Sequence, residues 1–293
     1  MGTVFRNPQE MGDLNASRLA PRATPKGLIM CSPESFQVRE VHNYFMEGNI
    51  AKVEQETASR DWHTLHDTLA AMTEVKVVPG EPDCPDMIFS ANAALTFAFS
   101  DKPKVALMSR MVYPSRRAET PVYEAYLRSQ GYEILTLPED VFYEGQGDSL
   151  WHPGRALLWG GWGKRSTPES YMHISDLLNV PVILLQLVSE LYHLDTCFCP
   201  IDERTVLFCP TAFAPESTAM IEKMFPNAIA VEKEVGMTFA CNAVVLGKRI
   251  VMPEGAEAVR GALERAGLQP TFVPMREMMK SGGAVRCCTL DDY

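Results

Sequence analysis

Short apolar runs and amphipathic segments follow one another along the chain in a repeating order. The clearest copy has apolar runs at 94–99 and 104–109, an amphipathic segment at 119–131 and another apolar run at 132–138. Short apolar runs between polar turns are typical of strands, and apolar positions three or four residues apart are typical of helices. The pattern therefore predicts two strands, a helix and a third strand, which is a ββαβ unit.

The same order recurs until about five such units fill the chain. Two further copies are clear, at 196–233 and 241–275, and two looser ones occupy 28–76 and 156–187. A small unit that cannot bury its apolar face alone must pack against its neighbours. We therefore predict an α/β-propeller, a closed ring of about five ββαβ modules around a central pocket.

The N-terminal stretch differs from the rest of the chain. Residues 1–26 are mostly polar, carry scattered Pro and Gly, and show no sustained apolar run. Chain ends of this composition are commonly poorly ordered. We expect 1–26 to form a flexible arm and 27–293 to form a single domain.

Composition and charge limit the kinds of molecule that the protein is expected to bind. Of the 293 residues, 46% are hydrophobic, and the formal net charge is −10 with a pI near 5.2. This acidity argues against nucleic acid and anionic membranes, so the expected partner is a small molecule. The sequence shows neither the apolar core of a signal peptide nor a run of about eighteen apolar residues. We expect a soluble cytoplasmic protein, with a homodimer as the default oligomer.

The cysteines raise a question of chemistry. None of the eight forms a C-x-x-C pair, so a zinc knuckle is not indicated, and no motif indicates a nucleotide, flavin or metal cofactor. Cys287 and Cys288 are adjacent, close to the end of the chain. A disulfide between neighbours would be strained, which leaves packing, metal binding or nucleophilic chemistry for this pair.

Polar residues recur where the predicted strands begin and end. They are Asn43, Asp86, Asn92, Arg110, Arg116, Glu144, Asp148, Arg165, His193, Asp195 and Cys287. In a ring, equivalent points of successive modules gather around the axis, so these side chains are expected to share a pocket.

The residue types in this set suit one kind of catalysis. A cysteine nucleophile needs a nearby acid or base, usually histidine, and a third group that orients the histidine. The surplus carboxylates would suit a planar guanidinium cation, to which they can bond in pairs. Each residue also has an ordinary structural interpretation: His193–Asp195 as a satisfied pair, 143–148 as a turn, and Arg116 as part of a solvated face.

Several stretches together resemble a known group of enzymes. They read MCSPESFQVREVHNYFMEGN, PDMIFSANAAL, YEGQGD, LYHLDTCFCP, FACNAV and GGAVRCCTL. From about Leu28 to Leu290 the chain resembles the guanidine-modifying, or pentein, superfamily of arginine deiminases, dimethylarginine dimethylaminohydrolases and amidinotransferases, with most likeness to bacterial arginine dihydrolases. This resemblance implies the pentein form of the α/β-propeller.

The resemblance also implies roles for individual residues. Cys287 corresponds to the nucleophile, His193 to the general acid and base, and Glu144 to the carboxylate that positions both the substrate and His193. Asp195 corresponds to a second carboxylate that grips the guanidinium. Asn92 stands where typical deiminases have an aspartate and where dihydrolases have an asparagine.

Four more residues correspond to the group that holds the ends of the amino acid. They are Asn43, Arg110, Arg116 and Arg165. Cys288 departs from the dihydrolase pattern, which has leucine there, whereas some dimethylarginine hydrolases have a Cys-Cys pair. That departure leaves the subfamily open.

The expected function is cysteine-dependent hydrolysis of arginine. An asparagine amide can donate as well as accept, so Asn92 could hold the urea oxygen of citrulline for a second attack. We therefore predict an arginine dihydrolase that gives ornithine, carbon dioxide and ammonia through a covalent thiouronium intermediate. The alternatives are a dimethylarginine dimethylaminohydrolase, an arginine deiminase, an amidinotransferase and, outside catalysis, an arginine-binding protein.

Overall fold

The computed structural model describes residues 2–99 and 103–293, and this part of the chain forms sixteen short strands and nine α-helices. The strands are β1 (Val4–Phe5), β2 (Gly27–Cys31), β3 (Glu74–Val78), β4 (Ala94–Phe97), β5 (Val105–Met108), β6 (Glu133–Leu135), β7 (Ser149–Trp151), β8 (Leu158–Trp162), β9 (Val182–Gln186), β10 (Phe198–Pro200), β11 (Thr205–Phe208), β12 (Asn227–Ala230), β13 (Val244–Leu246), β14 (Arg249–Pro253), β15 (Gln269–Val273) and β16 (Leu290–Asp292). The helices are α1 (Gln55–Ala70), α2 (Glu119–Ser129), α3 (Gly145–Asp148), α4 (Pro168–Leu178), α5 (Leu194–Cys197), α6 (Pro215–Met224), α7 (Lys233–Gly236), α8 (Arg260–Arg265) and α9 (Arg276–Met279).

The described strands form five small sheets of one design. Their strand orders are β16-β2-β3, β4-β5-β6, β7-β8-β9, β10-β11-β12 and β13-β14-β15, with β1 added beside β9. In each, the middle strand pairs antiparallel with the first strand and parallel with the third. A parallel pair needs a crossover connection, which α1, α2, α4, α6 and α8 provide. The predicted ββαβ modules are therefore confirmed.

The module that contains β2 is assembled from both ends of the chain. Its first strand is β16, in which Leu290 is the antiparallel partner of Ile29. The apolar pattern in 28–76 is looser than in the three clear copies because this strand lies at the far end of the sequence. Pairing of β16 with β2 thus brings the C-terminal strand, which follows the last module in sequence, into the first module.

Residues 2–26 differ from the flexible arm that the sequence analysis expected; residue 1 lies outside the described residues. Strand β1 runs parallel to β9, with Val4 beside Val182. Further along the segment, the side chains of Met11 and Ala16 are buried. The mean polarity of the segment concealed these few apolar residues, which are enough to add an edge strand and two buried contacts.

The ends of helix α4 show how local sequence sets an element. Pro168 occupies the first helical position, where its missing N–H would have no partner in any case. Asn179 follows the last turn with φ 53°, a left-handed conformation that Asn adopts more readily than most residues. The helix lies within the looser copy of the repeat that was predicted at 156–187.

Membrane spanning was tested for the helices in the described residues, and none of them is long and apolar enough to cross a bilayer. All eight cysteines are free thiols and all are buried.

The junction between the chain ends should matter for stability. Leu290 is fully buried in β16, so Leu290→Ala is expected to lower the free energy of unfolding by about 2–5 kcal/mol through lost contacts and a cavity. Leu177→Ala is the matched control, because Leu177 is 47% exposed on α4 and should change stability by less than about 0.5 kcal/mol. Urea unfolding measures both values, and equal losses would contradict a structural role for the junction.

Candidate active site

A short helix or turn precedes the first strand of every module, and it brings one residue of each to an equivalent position. These residues are Asn92, Gly147, Asp195, Asn242 and Cys287, each two or three positions before its strand. The side-chain amide of Asn242 donates at 3.0 Å both to the main-chain oxygen of Asp195 and to the sulfur of Cys287. A Cβ atom added to Gly147 would lie 2.2 Å from Nδ2 of Asn92. The modules therefore converge on one centre.

The sulfur of Cys287 lies in that centre, where it is 2% exposed. Burial, followed by the nearby charge of Asp195, raises the pKa of the Cys287 thiol well above its ordinary value. The thiol is therefore protonated at neutral pH in the unliganded protein, and a cation bound beside it would favour the thiolate.

Asn242 holds this cysteine in place, and sequence reasoning assigned it no role. Besides its contact with the sulfur, its side-chain oxygen accepts hydrogen bonds from the main-chain N–H groups of Arg286 (2.9 Å) and Cys287 (3.2 Å). The available signal was the module repeat, because FACNAV places Asn242 at the position equivalent to Asp195 and Cys287.

His193 and Glu144 form a buried pair. Nε2 of His193 lies 2.7 Å from Oε2 of Glu144, and the same carboxylate oxygen accepts a hydrogen bond from Arg165 at 3.0 Å. Burial alone would raise the pKa of Glu144, but the guanidinium of Arg165 and the imidazole of His193 hold it well below its usual range. Glu144 therefore stays ionised, and it keeps the proton of the imidazole on Nε2.

The backbone that carries His193 is fixed by a second carboxylate. Asp148 accepts hydrogen bonds from the main-chain N–H of Leu194 (3.2 Å) and from the hydroxyl of Ser166 (2.6 Å). Burial raises the pKa of Asp148 to about 6. Its contacts are with protein groups on two neighbouring modules, so it positions α5 and, through α5, the imidazole.

Asp195 is fully buried, and within residues 2–99 and 103–293 neither of its carboxylate oxygens has a hydrogen-bond partner. Burial raises the pKa of Asp195 to about 7, although the nearby Cys287 thiol, Arg286 guanidinium and Asn242 amide each oppose the rise. A buried carboxylate without a partner is costly, because it loses its hydration and gains nothing in exchange. Asp195 is therefore prepared to receive a cationic ligand.

Asn92 lies at the same centre and belongs to the module of β4, β5 and β6. Its side-chain oxygen accepts a hydrogen bond from Nη1 of Arg116 at 3.1 Å, whereas its buried NH₂ group has no acceptor among the described residues. The N–H of the preceding residue, Ala91, donates to the main-chain oxygen of Cys287 at 3.0 Å. Asn92 thus offers an unused donor close to the cysteine.

A cavity of about 510 Å³ opens above these residues. It is lined by His42, Asn43, Tyr44, Tyr113, Lys164, Arg165, Val188, Ser189, Glu190, Tyr192, Thr211 and Lys233. Cys287 and His193 are not among the described residues that line it, but Arg165, which does line it, is bonded to Glu144 and so connects the cavity with the buried pair. The guanidinium of Arg165 lies 4.7 Å from the ring centre of Tyr113 and 4.6 Å from that of Tyr192.

The predicted binding residues Asn43 and Arg165 both line this cavity. The NH₂ of Asn43 donates to the main-chain oxygen of Ser281 at 3.0 Å, and Nη2 of Arg165 donates to that of His42 at 3.2 Å. Tyr192 closes the same side through a hydrogen bond to the oxygen of Gly282 at 3.0 Å. The segment around Asn43 is thus tied across the entrance to the stretch that precedes the cysteine.

Arg110 lies apart from the main cavity, whereas the assignment of Arg116 to the ends of the substrate stays a prediction. Arg116 is buried behind Asn92, with its guanidinium bonded to the carboxylate of Glu119. Arg110 donates to the main-chain oxygen of Leu137 and lines a separate cavity of about 370 Å³. Arg110 lies two residues after β5, whereas Arg116 ends the 3₁₀ turn Pro114–Arg116.

Across the described ranges, no group of three or more His, Cys, Asp or Glu side chains is arranged to hold a metal ion.

The contact between Asn242 and the sulfur can be tested directly. Asn242→Ala is expected to lower kcat/KM about ten- to a hundredfold, because a hydrogen bond to a developing thiolate is lost. The alkylation of Cys287 should also shift to higher pH. Asn227→Ala is the control, since Asn227 is exposed at the start of β12. An unchanged alkylation profile in Asn242→Ala would contradict this role.

Comparison with known proteins finds relatives that are arginine dihydrolases or dimethylarginine dimethylaminohydrolases. A family model described as N,N dimethylarginine dimethylhydrolase, eukaryotic, matches residues 32–292. The bifunctional arginine dihydrolase/ornithine cyclodeaminase ArgZ of Synechocystis sp. is 36% identical over 266 residues, which cover 90% of this chain and 37% of ArgZ. The N(G),N(G)-dimethylarginine dimethylaminohydrolase of Mycobacterium tuberculosis is 32% identical over 92% of this chain and 87% of its own.

A solved structure confirms the fold. The N-terminal domain of ArgZ, crystallised with its product, superposes with a TM-score of 0.87 at 36% identity, and the match covers 91% of this chain and 97% of that domain. The α/β-propeller of the pentein type that the sequence predicted is therefore confirmed. The chain spans little more than a third of the full bifunctional relative, 37% of its length.

Proposed function

The chain belongs to the N,N-dimethylarginine dimethylhydrolase family, and from that premise we propose that it is an arginine dihydrolase. It would convert L-arginine to ornithine, carbon dioxide and two ammonia molecules. The observation that carries the proposal is the buried NH₂ group of Asn92, which has no acceptor among the described residues and lies next to Gly147, near His193. The likeness to the N-terminal domain of ArgZ, which is described as an arginine dihydrolase, supports it.

The substrate would bind through its positive charge. Among the described residues neither carboxylate oxygen of Asp195 has a hydrogen-bond partner, and the lowered pKa of Glu144 keeps it ionised at neutral pH, so both can accept N–H groups of the guanidinium. A cation beside Asp195 removes the cost of that buried charge. It also favours the thiolate form of Cys287, so that the substrate helps to activate its own nucleophile.

The first cycle would replace one nitrogen of the guanidinium by oxygen. The sulfur of Cys287 attacks the central carbon and forms a C–S bond, and the thiol proton passes to His193. His193 donates this proton to the departing nitrogen, ammonia leaves, and a covalent thiouronium cation remains. Water then attacks the same carbon, the C–S bond breaks, and citrulline, the regenerated thiol and a proton result.

The second cycle would depend on keeping citrulline in place. Its urea group is neutral and its oxygen is an acceptor, which suits the NH₂ of Asn92 and would not suit a carboxylate at that position. Attack by Cys287 releases the second ammonia and leaves a thiocarbamate. Hydrolysis of the thiocarbamate gives a carbamate, which separates into ornithine and carbon dioxide.

A product-resolved assay tests the proposal. Wild-type protein supplied with L-arginine should form ornithine and about two ammonia molecules for each arginine consumed, as the two-cycle chemistry requires. Citrulline as the sole end product would overturn the dihydrolase assignment and indicate a deiminase. Transfer of the amidino group to an added amine would indicate an amidinotransferase.

Dimethylarginine hydrolysis is the second candidate, favoured by the description of the matching family and by the relative from Mycobacterium tuberculosis. The same assay distinguishes it when asymmetric dimethylarginine is supplied in place of arginine. Release of dimethylamine, with no turnover of arginine, would move the assignment to this activity.

A further inference from the structure

A second cavity, of about 360 Å³, lies on the other side of the converging residues from the first. Its wall includes residues of β7, β10, β13 and β16, each of which begins two or three positions after its converging residue. The wall of the first cavity instead includes Glu190 and Tyr192, which precede His193. A strand of three residues spans about 10 Å, so these strands run from the reacting centre to the second cavity. Among the described residues, none lines both cavities.

A polar layer separates the second cavity from the catalytic cysteine. Arg286 directly precedes Cys287 and lines this cavity, and its Nη1 donates to Oδ1 of Asp291 at 2.8 Å. The other carboxylate oxygen of Asp291 accepts from Nε2 of Gln146 at 2.8 Å, and the N–H of Asp291 donates to Oε1 of Gln146 at 3.0 Å. Gln146 stands next to Gly147, one of the converging residues. Hydrogen-bonding groups therefore continue from the cavity to the reacting centre.

The same layer reaches the carboxylate that is expected to hold the guanidinium. The positive charge of Arg286 opposes the rise in the pKa of Asp195, an effect that a nearby opposite charge has on a buried acid. The main-chain N–H of Arg286 donates to Oδ1 of Asn242, whose amide contacts the sulfur. Arg286 thus lies beside the reacting groups and also in the wall of the second cavity.

The first cycle requires small molecules to move while the amino acid stays in place. After the sulfur of Cys287 has formed the C–S bond and His193 has protonated the leaving nitrogen, ammonia departs before water attacks the same carbon. The C–S bond fixes the rest of the substrate during this exchange. That part fills the first cavity, where Asn43 and Arg165 are predicted to hold its ends. Water and ammonia therefore need either space beside the bound amino acid or a route of their own.

We propose that the second cavity is a back entrance, through which water reaches the covalent intermediate and ammonia leaves it, past the layer of Gln146, Arg286 and Asp291. This inference rests on the proposed cysteine-dependent hydrolysis. The amide, carboxylate and guanidinium of the layer can donate to or accept from water and ammonia, so both molecules find partners along the route. The fixed charge of Arg286 disfavours ammonium, so ammonia would pass in its neutral form.

Ile201 offers a place at which this route can be blocked. It lines the second cavity and follows β10, two residues after Cys199, which lines the cavity too. Burial raises the pKa of the Cys199 thiol to about 12 and the nearby guanidinium of Arg286 opposes that rise, so Cys199 lies on the side of Arg286. Positions two apart along an extended segment point to the same side. A large side chain at 201 should therefore fill the space that leads to the layer.

The test is accumulation of the covalent intermediate during turnover of arginine. Ile201→Trp is expected to lower kcat about tenfold or more, because hydrolysis of the intermediate then waits for water. Rapid acid quenching followed by mass measurement of the intact protein detects the adduct on Cys287. The adduct should form a larger fraction of the enzyme in Ile201→Trp than in the wild-type protein.

Two controls separate a blocked route from a disturbed fold. Ile201→Ala removes the same side chain but leaves the cavity open, so it should turn over arginine at close to the wild-type rate. Leu177→Trp adds the same ring to the outer face of α4, where Leu177 is 47% exposed, and should accumulate no adduct. A general effect of a new tryptophan would change Leu177→Trp and Ile201→Trp alike.

A second variant guards against misfolding of Ile201→Trp. Leu246 on β13 also lines the second cavity and is partly buried, so Leu246→Trp should have the same effect on kcat and on the adduct. A wild-type kcat in the folded variants, or a lower kcat without accumulated adduct, would overturn this inference. Failure of the proposed hydrolysis looks different, because the wild-type protein would then form neither citrulline nor ornithine. A deiminase would leave the test intact, since its single cycle makes the same exchange of ammonia for water.

Discussion

Replacement of Cys287 by alanine is expected to lower arginine turnover by at least about 10⁴-fold, because both cycles require a covalent bond to this sulfur. Binding should survive, since Asp195 and Glu144 supply the charge that holds the cation. The measurements are product formation from labelled arginine and the shift of the thermal midpoint on addition of arginine. A large loss of turnover together with a retained shift is the signature of a missing nucleophile.

Cys288→Ala provides the matched control. Cys288 is fully buried beside Cys287, so the two variants remove the same atoms one residue apart. Cys288→Ala is expected to lower stability and to leave turnover within several-fold of the wild-type value, since the neighbouring thiol has no step in the mechanism. If Cys287→Ala kept its turnover, or if Cys288→Ala alone lost it, the assigned nucleophile would be wrong.

Thiol labelling separates the enzyme from a protein that only binds arginine. Burial keeps the pKa of the Cys287 thiol high, so alkylation of the free protein should be slow at neutral pH and should accelerate as the pH rises. Modification should inactivate the wild-type protein and should be absent in Cys287→Ala. A wild-type protein that binds arginine, resists labelling and forms no product would instead be a binding protein.

Much of the architecture could be predicted because it depends on local pattern. Strands and crossover helices have apolar residues at regular intervals. Because this pattern repeats, it predicted the number of modules and the points at which they meet. The convergence of Asn92, Asp195 and Cys287 follows from this repetition. The pairing of His193 with Glu144 agrees with the third group that a cysteine–histidine site requires.

The remainder depends on contacts that no local pattern records. Strand β16 pairs with β2 across almost the whole length of the chain, so its partner could not be read from neighbouring residues. Arg110 lies just after β5 as expected and Arg116 ends the turn Pro114–Arg116, but a main-chain oxygen and the carboxylate of Glu119 decide where their guanidinium groups point. Residues 2–26 failed as a predicted arm because average polarity hides a few well-placed apolar side chains.

The second large effect is expected from Asp195→Asn, which should lower kcat/KM for arginine about a thousandfold. The buried carboxylate of Asp195 has no partner in the described structure, so it is available to pair with the guanidinium. Removing one member of a buried ion pair typically costs about 3–5 kcal/mol, and each 1.4 kcal/mol corresponds to about a tenfold change. Asp13→Asn, an exposed change of the same chemical kind, should have no effect.

The pH dependence of kcat/KM tests the role of Asp195 most directly. Because burial raises the pKa of Asp195 to about 7, the free protein carries the neutral acid below that pH and the carboxylate above it. Only the carboxylate can hold the cation, so kcat/KM of the wild-type protein should rise with pH and level off above about pH 7. Asp195→Asn should lose this rise, and an unchanged rise in the variant would mean that another group is responsible.

The raised pKa of Asp195 also predicts that its carboxylate, which favours activity, lowers the stability of the protein when no arginine is bound. A carboxyl group whose folded pKa lies above its unfolded value weakens the fold as the pH rises between the two, and the full penalty remains above the folded pKa. Relative to wild type, Asp195→Asn should therefore be more stable above about pH 7 than below about pH 4, while losing the thermal shift that arginine gives the wild-type protein. A variant that lost activity and also lost stability at high pH would show that Asp195 holds the fold together and does not await a cation.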